Sequence, residues 1–247
     1  MGDVIEGRNP VLEALKAERP INRLLLSRDI GRHSIIGQIL YHARQNGIMV
    51  EYVDSQLIQK LSLTGHSQGV LAMVAVKDYM DMERLLEDSL QSDGLPFYIV
   101  LDGIEDPHNL GAILRTADAA GADGVIIPQR RAVGLTVAVS RASAGAVEYV
   151  PVARVSNIPQ TVSKLRERGV WTVGVDMTGG EDYSQADYRQ SVALVIGAEG
   201  KGLSRLVKER CDLLVTIPMK GHIASLNASV AAALVMYEVM RQRSHLD

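Results

Sequence analysis

The sequence has few of the features that mark a secreted or membrane protein. Its 247 residues include one cysteine, Cys211, so a disulfide within the chain is excluded. The first ten residues, MGDVIEGRNP, lack both the apolar stretch of a secretory signal and the Ser/Thr of a myristoylation site. No apolar run approaches the roughly 20 residues that cross a bilayer. These absences predict a soluble, cytoplasmic protein without a membrane partner.

An excess of basic residues is also missing. The chain has 26 Lys and Arg against 29 Asp and Glu, a net charge of −3. Residues 1–78 contain nine basic and eight acidic residues, which gives this block a net charge of +1. This balance disfavours binding of nucleic acid by bulk charge, but it leaves room for a local patch, for which Arg130, Arg131 and Arg141 are candidates. RNA recognition by shape and splayed bases needs less charge.

The common phosphate, metal and hydrolase motifs are absent as well. Four unusual loops follow apolar runs: DGIEDPHNLG, GVDMTGGED, GAEGKGLS and MKGHIASLN. GAEGKG lacks the Walker spacing, no G-x-G-x-x-G follows the first strand of the second block, and the histidines show no metal-ligand spacing. Ser225 lies in no G-x-S-x-G elbow, which argues against a Ser-His-Asp hydrolase. The loops suit a ligand bound by main-chain groups, although tight turns alone would also explain the glycines.

The chain divides into two blocks with different patterns. Residues 1–78 alternate short helices and strands, and residues 79–96 form a polar, acidic linker with some helical character. Residues 97–247 contain apolar runs, separated mostly by helical stretches: YIVLD, GVIIP, WTVGVD, VALVIG and LLVTIP. Continuous apolar strands alternating with helices predict an α/β fold with a mainly parallel sheet that is covered on both faces.

The stretch DPHNLGAILRTADAAG has the signals of one helix. Asp106 is the expected N-cap with Pro107 at the first helical position, Asn109 is the alternative cap, and Gly121 marks the end.

Arg115 lies opposite the apolar stripe of this predicted helix. The stripe consists of Leu110, Ile113, Leu114 and Ala117. At about 100° per residue, Arg115 faces a cleft or solvent. Gly111, four residues earlier, predicts a helix surface that is open for another molecule. An ordinary solvated arginine is the competing interpretation.

The last helix has a serine near its start and one apolar stripe. Ser225 either caps this helix or belongs to a site. The stripe comprises Leu226, Val230, Ala233, Leu234 and Tyr237.

Three segments together resemble the signature motifs of the SPOUT superfamily, in its TrmH-type branch of RNA ribose 2′-O-methyltransferases. The segments are LDGIEDPHNLGAILRTADAAGADGVIIP, LVIGAEGKGLS and IPMKGHIASLNASVAAAL. The first block, with GRNPVLEAL and GHSQGVLA, resembles the small RNA-binding module related to ribosomal protein L30e that precedes the catalytic domain in bacterial large-subunit rRNA guanosine methyltransferases. The resemblance implies an L30e-like domain over residues 1–78 and a SPOUT domain with a deep trefoil knot over 97–247.

The resemblance also implies the chemistry. It predicts a homodimer that uses S-adenosylmethionine, without a metal, to methylate a ribose 2′-hydroxyl of a guanosine in 23S rRNA or a pre-ribosomal particle. It assigns the catalytic and substrate-side roles to Asn109, Arg115, Glu199, Ser225 and Asn227. It assigns the cofactor to Gly174, Ile196, Gly197, Gly200, Ile217, Met219 and Leu226.

Within these roles, Arg115 is expected to bind the target phosphate and to stabilise alkoxide charge. A guanidinium with a pKa above about 12 is a poor base near neutral pH. We expect Asn109 to hold Arg115 or the ribose, and Glu199 to orient it.

Three alternatives to this function stay open. In the first the substrate is tRNA, and in the second it is an rRNA site linked to antibiotic resistance. In the third the chain is a non-catalytic RNA-binding protein with the same fold. The preceding small module favours rRNA over tRNA, and the intact motifs favour catalysis.

Overall fold

The computed structural model describes residues 3–31, 33–74, 77–91, 94–178, 180–223 and 225–244, and these form two compact units. The first unit contains the described residues up to Asp78 together with Gly134–Tyr149. The second contains Tyr79–Val133 and the described residues from Val150 onward. Several positions used in the sequence interpretation lie outside the described residues, namely Arg32, Ala75, Val76, Gly179 and Ala224.

Short strands and helices alternate along both halves of the chain. The first elements are β1 (Asp3–Glu6), α1 (Arg8–Lys16), β2 (Ile21–Ser27), α2 (Ser34–Gln45), β3 (Val50–Val53), α3 (Ser55–Leu61), β4 (Val70–Val74), α4 (Met82–Leu90), β5 (Phe97–Asp102), α5 (Pro107–Ala119) and β6 (Gly124–Pro128). They are followed by α6 (Val137–Ala142), β7 (Val152–Val155), α7 (Ile158–Glu167), β8 (Trp171–Val175), β9 (Glu181–Asp182), β10 (Val192–Gly197), α8 (Arg205–Arg210), β11 (Leu213–Thr216) and α9 (Ala228–Arg243).

The first unit is built on a four-stranded sheet in the order β1-β4-β2-β3. β4 is antiparallel to both β1 and β2, whereas β3 is parallel to β2. Leu15 of α1 and Ile39 of α2 are fully buried in one core with Leu24 and Leu26 of β2. The predicted small α/β module is confirmed in its fold class, although the pattern gave no signal for β1.

Gly134–Tyr149 packs with the first unit although it lies far along the chain. Val139 of α6 is fully buried. Arg19 forms an ion pair of 2.6 Å with Glu148, and both side chains are largely buried. The sequence pattern predicts this segment in the second block, because local periodicity carries no information about long-range packing. As a division into functional domains, 1–78, 79–96 and 97–247 stays a prediction.

The second unit contains a seven-stranded sheet in the order β7-β6-β5-β10-β8-β11-β9. All of its strand pairings are parallel. The five apolar runs form β5, β6, β8, β10 and β11, which confirms the predicted α/β fold with a mainly parallel sheet. The short edge strands β7 and β9 were not predicted. The trefoil knot stays a prediction.

Helices pack on both faces of this sheet. Leu85 and Leu86 of α4, in the predicted linker, are buried in one core with residues of α7, α8 and the sheet. Helices α5 and α9 contact each other on the sheet as well. Because the strands are parallel, the loops after β5, β8, β10 and β11 leave from the same edge, where open α/β sheets bind their ligands. No helix among the described residues has the length and apolar character to cross a membrane.

Candidate active site

Helix α5 begins and ends where the sequence predicts. The Asp106 carboxylate accepts the backbone N–H of His108 at 2.9 Å, and proline occupies the first turn. This makes Asp106 the N-cap and excludes the alternative cap at Asn109. Gly121 follows the helix with a φ of 69°, the left-handed conformation that glycine adopts readily.

Arg115 and Gly111 have opposite environments on this helix. Arg115 is exposed, as expected, and the described residues provide it with no hydrogen-bond or ion-pair partner. Gly111 is buried. The prediction of an open surface at Gly111 is therefore wrong, because the protein's own chain covers that side of the helix. The glycine fits the close packing of α5.

Three of the five expected catalytic residues form one hydrogen-bonded network. The Asn227 side-chain nitrogen donates to Asn109 Oδ1 at 2.9 Å and to Glu199 Oε2 at 3.0 Å. The Asn109 side-chain nitrogen completes the triangle with a longer bond of 3.4 Å to Glu199. Asn109 is buried, so these contacts satisfy an amide that would otherwise be costly to bury. Its partners are Glu199 and Asn227 rather than Arg115.

Asn227, not Ser225, caps the last helix. The Asn227 side-chain oxygen accepts the backbone N–H groups of Ser229 and Val230 and the Ser229 hydroxyl. One amide therefore starts α9 with its oxygen and joins the network with its nitrogen. Ser225 is half-buried and lines the neighbouring pocket. The interpretation of Ser225 as a cap is wrong, because Asn227 occupies the N-cap position.

A pocket that is open to solvent lies beside this network. The pocket is bounded by the loops after β8, β10 and β11 and by the start of α9. Its lining residues are Val175, Asp176, Met177, Ile196, Gly197, Ala198, Glu199, Gly200, Gly202, Ile217, Met219, Ser225, Leu226, Ala228 and Ala231. Six of the seven expected cofactor residues are among them. The exception is Gly174.

Gly174 is turned toward the protein interior. A Cβ there would lie 2.7 Å from Leu214 and 2.8 Å from Leu203, so close packing behind the sheet accounts for this glycine. Its position does not support contact with a ligand in the pocket.

The loop after β10 folds back on itself and forms one wall of the pocket. The Gly202 N–H donates to the Ala198 carbonyl at 2.8 Å. A Cβ on Gly197 would lie 2.2 Å from the Gly202 carbonyl carbon, and Gly202 has a φ of 64°. Glycine at both positions allows the backbone to close this tightly, and the fold-back places Glu199 at the pocket.

Asp176, Met177 and Gly202 line the pocket although the sequence analysis did not select them. Asp176 directly follows the apolar run of β8, in one of the four loops that the sequence did single out. A carboxylate at the carboxyl end of a parallel strand is the signal that could have identified it.

Other reactive groups do not form a second centre in the described part of the chain. No group of three or more His, Cys, Asp or Glu side chains is arranged there to hold a metal ion. Burial raises the pKa of the Cys211 thiol to about 12, with a smaller contribution from Asp212, so this thiol is protonated at neutral pH.

Comparisons with known proteins identify the class of this site. Residues 96–237 match the family model of the SpoU rRNA methylase family, and residues 4–80 match the model for RNA 2′-O ribose methyltransferase substrate binding. A Bacillus subtilis protein named in the TrmH family of tRNA/rRNA methyltransferases is 46% identical over 242 residues, which cover 98% of this chain and 96% of that protein.

Two solved structures are similar to this chain over almost its full length. The SpoU methyltransferase AviRb of Streptomyces viridochromogenes, in complex with AdoMet, superposes with a TM-score of 0.81 and 27% identity, over 98% of this chain and 90% of its own. An AdoMet-bound rRNA methyltransferase of Sinorhizobium meliloti superposes with a TM-score of 0.79 and 27% identity, over 97% and 87%.

The protein is therefore classed as an RNA methyltransferase of SPOUT architecture. Within that class, the chain belongs to the SpoU rRNA methylase family. This membership confirms the expected enzyme class and its cofactor, S-adenosylmethionine.

Proposed function

We propose that this enzyme transfers a methyl group from S-adenosylmethionine to the ribose 2′-hydroxyl of a guanosine in 23S rRNA, free or in a pre-ribosomal particle. The proposal is carried by one observation: the Asn109–Glu199–Asn227 network borders a pocket that is lined mostly by glycine, alanine and apolar residues, together with the carboxylates Asp176 and Glu199. We also propose that the reaction takes place in the cytoplasm.

The residues that line the pocket suit the chemistry of the cofactor. Ile196, Ile217 and Leu226 offer apolar walls for the adenosine, and Gly197 and Gly200 expose main-chain groups that suit polar contacts. The cofactor has no phosphate, in agreement with the absence of a phosphate-binding loop. When bound, it supplies a methyl group activated by a sulfonium. The resemblance implies a trefoil knot, and the proposal includes this knot as the feature that brings these loops together.

The chain's own residues align the reactants. They would hold the ribose 2′-hydroxyl in line with the methyl group that bound S-adenosylmethionine would supply, and the hydroxyl proton would pass to water. Glu199 and Ser225 line the pocket, and Asn109 and Asn227 hold the Glu199 carboxylate in place. This arrangement suits a hydrogen bond to the incoming ribose.

Arg115 binds the substrate phosphate and stabilises negative charge on the 2′-oxygen. An exposed guanidinium that has no partner among the described residues has its donors available for a phosphate, which it can bind with two parallel hydrogen bonds. The same charge favours alkoxide character in the transition state. Proton abstraction by the guanidinium itself is at most transient, because its pKa lies far above neutrality.

The enzyme acts as a homodimer through α9. Three members of the predicted apolar stripe are exposed, since Val230, Leu234 and Tyr237 are 47%, 39% and 48% accessible, whereas Leu226 and Ala233 are half-buried. The opposite face, with Ala232, Val235, Met236 and Val239, is buried in the core. An exposed apolar helix face of this extent is typical of a protein interface, and a second copy of α9 would cover it symmetrically.

The rRNA substrate is supported by the two matched regions. Residues 4–80 match a substrate-binding model, and the rRNA methyltransferase of S. meliloti covers both regions of this chain. Ribose methylation should be mapped across rRNA and tRNA from cells with and without the gene. We expect the loss of one methyl group on a 23S rRNA guanosine. An unchanged rRNA with a missing tRNA methyl group would overturn the substrate assignment.

A further inference from the structure

Asp176 is a buried carboxylate in the wall of the pocket. Its side chain is only 2% exposed. Burial of an unpaired carboxylate is costly, so its contacts reveal what it does. Asp176 Oδ1 accepts the Lys208 ammonium at 2.8 Å, the Thr178 N–H at 3.0 Å and the Thr178 hydroxyl at 2.9 Å. Asp176 Oδ2 accepts the Leu203 N–H at 3.1 Å.

These partners belong to three different segments. Thr178 is in the loop after β8, Leu203 is in the loop after β10, and Lys208 is in α8. A Cβ on Gly202 would lie 2.6 Å from Asp176 Oδ2, so the second loop passes directly over the carboxylate. One side chain therefore joins two of the loops that bound the pocket and connects both to a helix behind them.

Both oxygens of the Asp176 carboxylate accept hydrogen bonds from the chain's own donors. Burial raises the pKa of Asp176, but the hydrogen bonds from Lys208, Thr178 and Leu203 together lower it by more than burial raises it. The pKa therefore lies below its ordinary value. Asp176 is therefore charged at neutral pH. With its charge balanced by Lys208, it suits a role in fixing loop geometry rather than in acid–base chemistry.

We propose that Asp176, paired with Lys208, is a positioning residue that sets the separation of the two pocket loops and thereby the affinity for S-adenosylmethionine. This inference rests on the proposed function, in which that pocket holds the cofactor. Preorganised loops bind more tightly because less conformational freedom is lost on binding.

The test compares Asp176→Asn with Asp187→Asn in the full-length protein. Both substitutions replace an ion-paired carboxylate by its amide, but Asp187 pairs with Arg189 on an exposed loop outside the pocket. We expect Asp176→Asn to raise the calorimetric Kd and the KM for S-adenosylmethionine at least about tenfold, with kcat at saturating cofactor within about threefold of the unsubstituted enzyme. Asp187→Asn should change neither constant.

Lys208 provides a second and milder variant, since it is partly exposed. Lys208→Met should weaken cofactor binding in the same way, and Lys208→Arg should preserve it. The double variant Asp176→Asn with Lys208→Met should bind S-adenosylmethionine about as tightly as the single variant with the lower affinity, because the two side chains act as one unit.

The outcomes separate this inference from the proposed function. If the unsubstituted protein fails to bind S-adenosylmethionine, the assignment of the pocket fails. If it binds, and folded Asp176→Asn and Lys208→Met bind with unchanged Kd and KM, the positioning role is refuted. A lower melting temperature with unchanged cofactor constants would also refute it, since that pattern indicates a purely structural role.

Discussion

The side-chain nitrogen of Asn227 lies 2.9 Å from the side-chain oxygen of Asn109, although 118 residues separate them in the chain. The same nitrogen lies 3.0 Å from the Glu199 carboxylate. This contact connects the starts of α5 and α9 and places the loop after β10 between them. Three of the five expected catalytic residues are therefore brought together by the two helix starts and one glycine-rich turn.

Substitution of Asn227 can separate capping from the network. Asn227→Ala removes both functions and should cost about 1 kcal/mol of stability from the cap alone, as well as most of the activity. Asn227→Asp retains an acceptor for the cap but places a second carboxylate beside Glu199. We expect Asn227→Asp to melt close to the unsubstituted protein while methyl transfer falls strongly. Equal losses of stability and activity in both variants would contradict separate roles for the two ends of the amide.

Arg115 is predicted to matter for activity and not for stability. Because it is exposed and has no partner among the described residues, Arg115→Ala should change the unfolding free energy by no more than about 0.5 kcal/mol. Methyl transfer should fall by about 100-fold or more, since a charge-stabilising group is lost. RNA binding should weaken, with a salt slope reduced by about 1.

Two further variants define the role of this guanidinium. Arg84→Ala, at an exposed position of α4, is the matched control and should leave methyl transfer unchanged. Arg115→Lys should recover little activity, because an ammonium cannot form the paired hydrogen bonds of a guanidinium. Substantial activity in Arg115→Lys would argue against phosphate binding through two parallel bonds.

Two glycines of one loop should respond differently to alanine. A Cβ at Gly197 would lie 2.2 Å from the Gly202 backbone, so Gly197→Ala must displace the loop that forms the pocket wall. At Gly200 a Cβ meets nothing within 4 Å, and only its φ of 74° is unfavourable, at a cost of about 1–2 kcal/mol. We expect Gly197→Ala to abolish cofactor binding in calorimetry and Gly200→Ala to retain it. Similar affinities in both variants would contradict the assigned loop geometry.

The Arg19–Glu148 ion pair is predicted to stabilise the first unit. Its side chains are only 11% and 3% exposed, so Arg19→Met removes the hydrogen-bonded partner of a buried carboxylate and leaves only the charge of nearby Lys77 to offset it. We expect a loss of about 3–5 kcal/mol in urea unfolding. Arg28→Met breaks an exposed pair with Asp54 and should cost no more than about 1 kcal/mol. If both variants lose the same small amount, the pair does not anchor Gly134–Tyr149.

The Asp176 carboxylate predicts a specific dependence of stability on pH. Its pKa in the folded protein lies below the ordinary value of 3.8, so its contribution is complete above that value and is lost as the pH falls through the folded pKa. The difference in unfolding free energy between the unsubstituted protein and Asp176→Asn should therefore be constant from pH 7 to about 5 and shrink below about 4. A constant difference down to about pH 2 would contradict a depressed pKa.

Much of the fold follows from local patterns, and the exceptions have physical causes. The runs that form β5, β8 and β10 are continuously apolar because helices cover both faces of the sheet. By contrast, β7 and β9 are short edge strands with exposed polar residues, so they lack this signal. Helix α4 appeared as a linker because only one narrow face of it is apolar, and burial of that face depends on distant partners.

The roles of the predicted site residues stay predictions, and the contacts between these residues could not be read from the sequence. The resemblance selected Asn109, Glu199 and Asn227, and the structure joins them. Sequence spacing could not show that Asn227 caps α9 in place of Ser225, since both residues favour N-caps. It also could not show that Gly174 faces Leu203 and Leu214, because a glycine required by a ligand and one required by packing look alike in a sequence.

The most direct test of the account is methyl transfer by the purified protein. The full-length enzyme, methyl-labelled S-adenosylmethionine and 23S rRNA that lacks the modification should yield label in a single 2′-O-methylguanosine after nuclease digestion, and Arg115→Ala should yield almost none. A folded protein that binds the cofactor and the RNA but leaves the RNA unlabelled, both as free rRNA and in pre-ribosomal particles, would contradict the account and favour a non-catalytic RNA-binding protein.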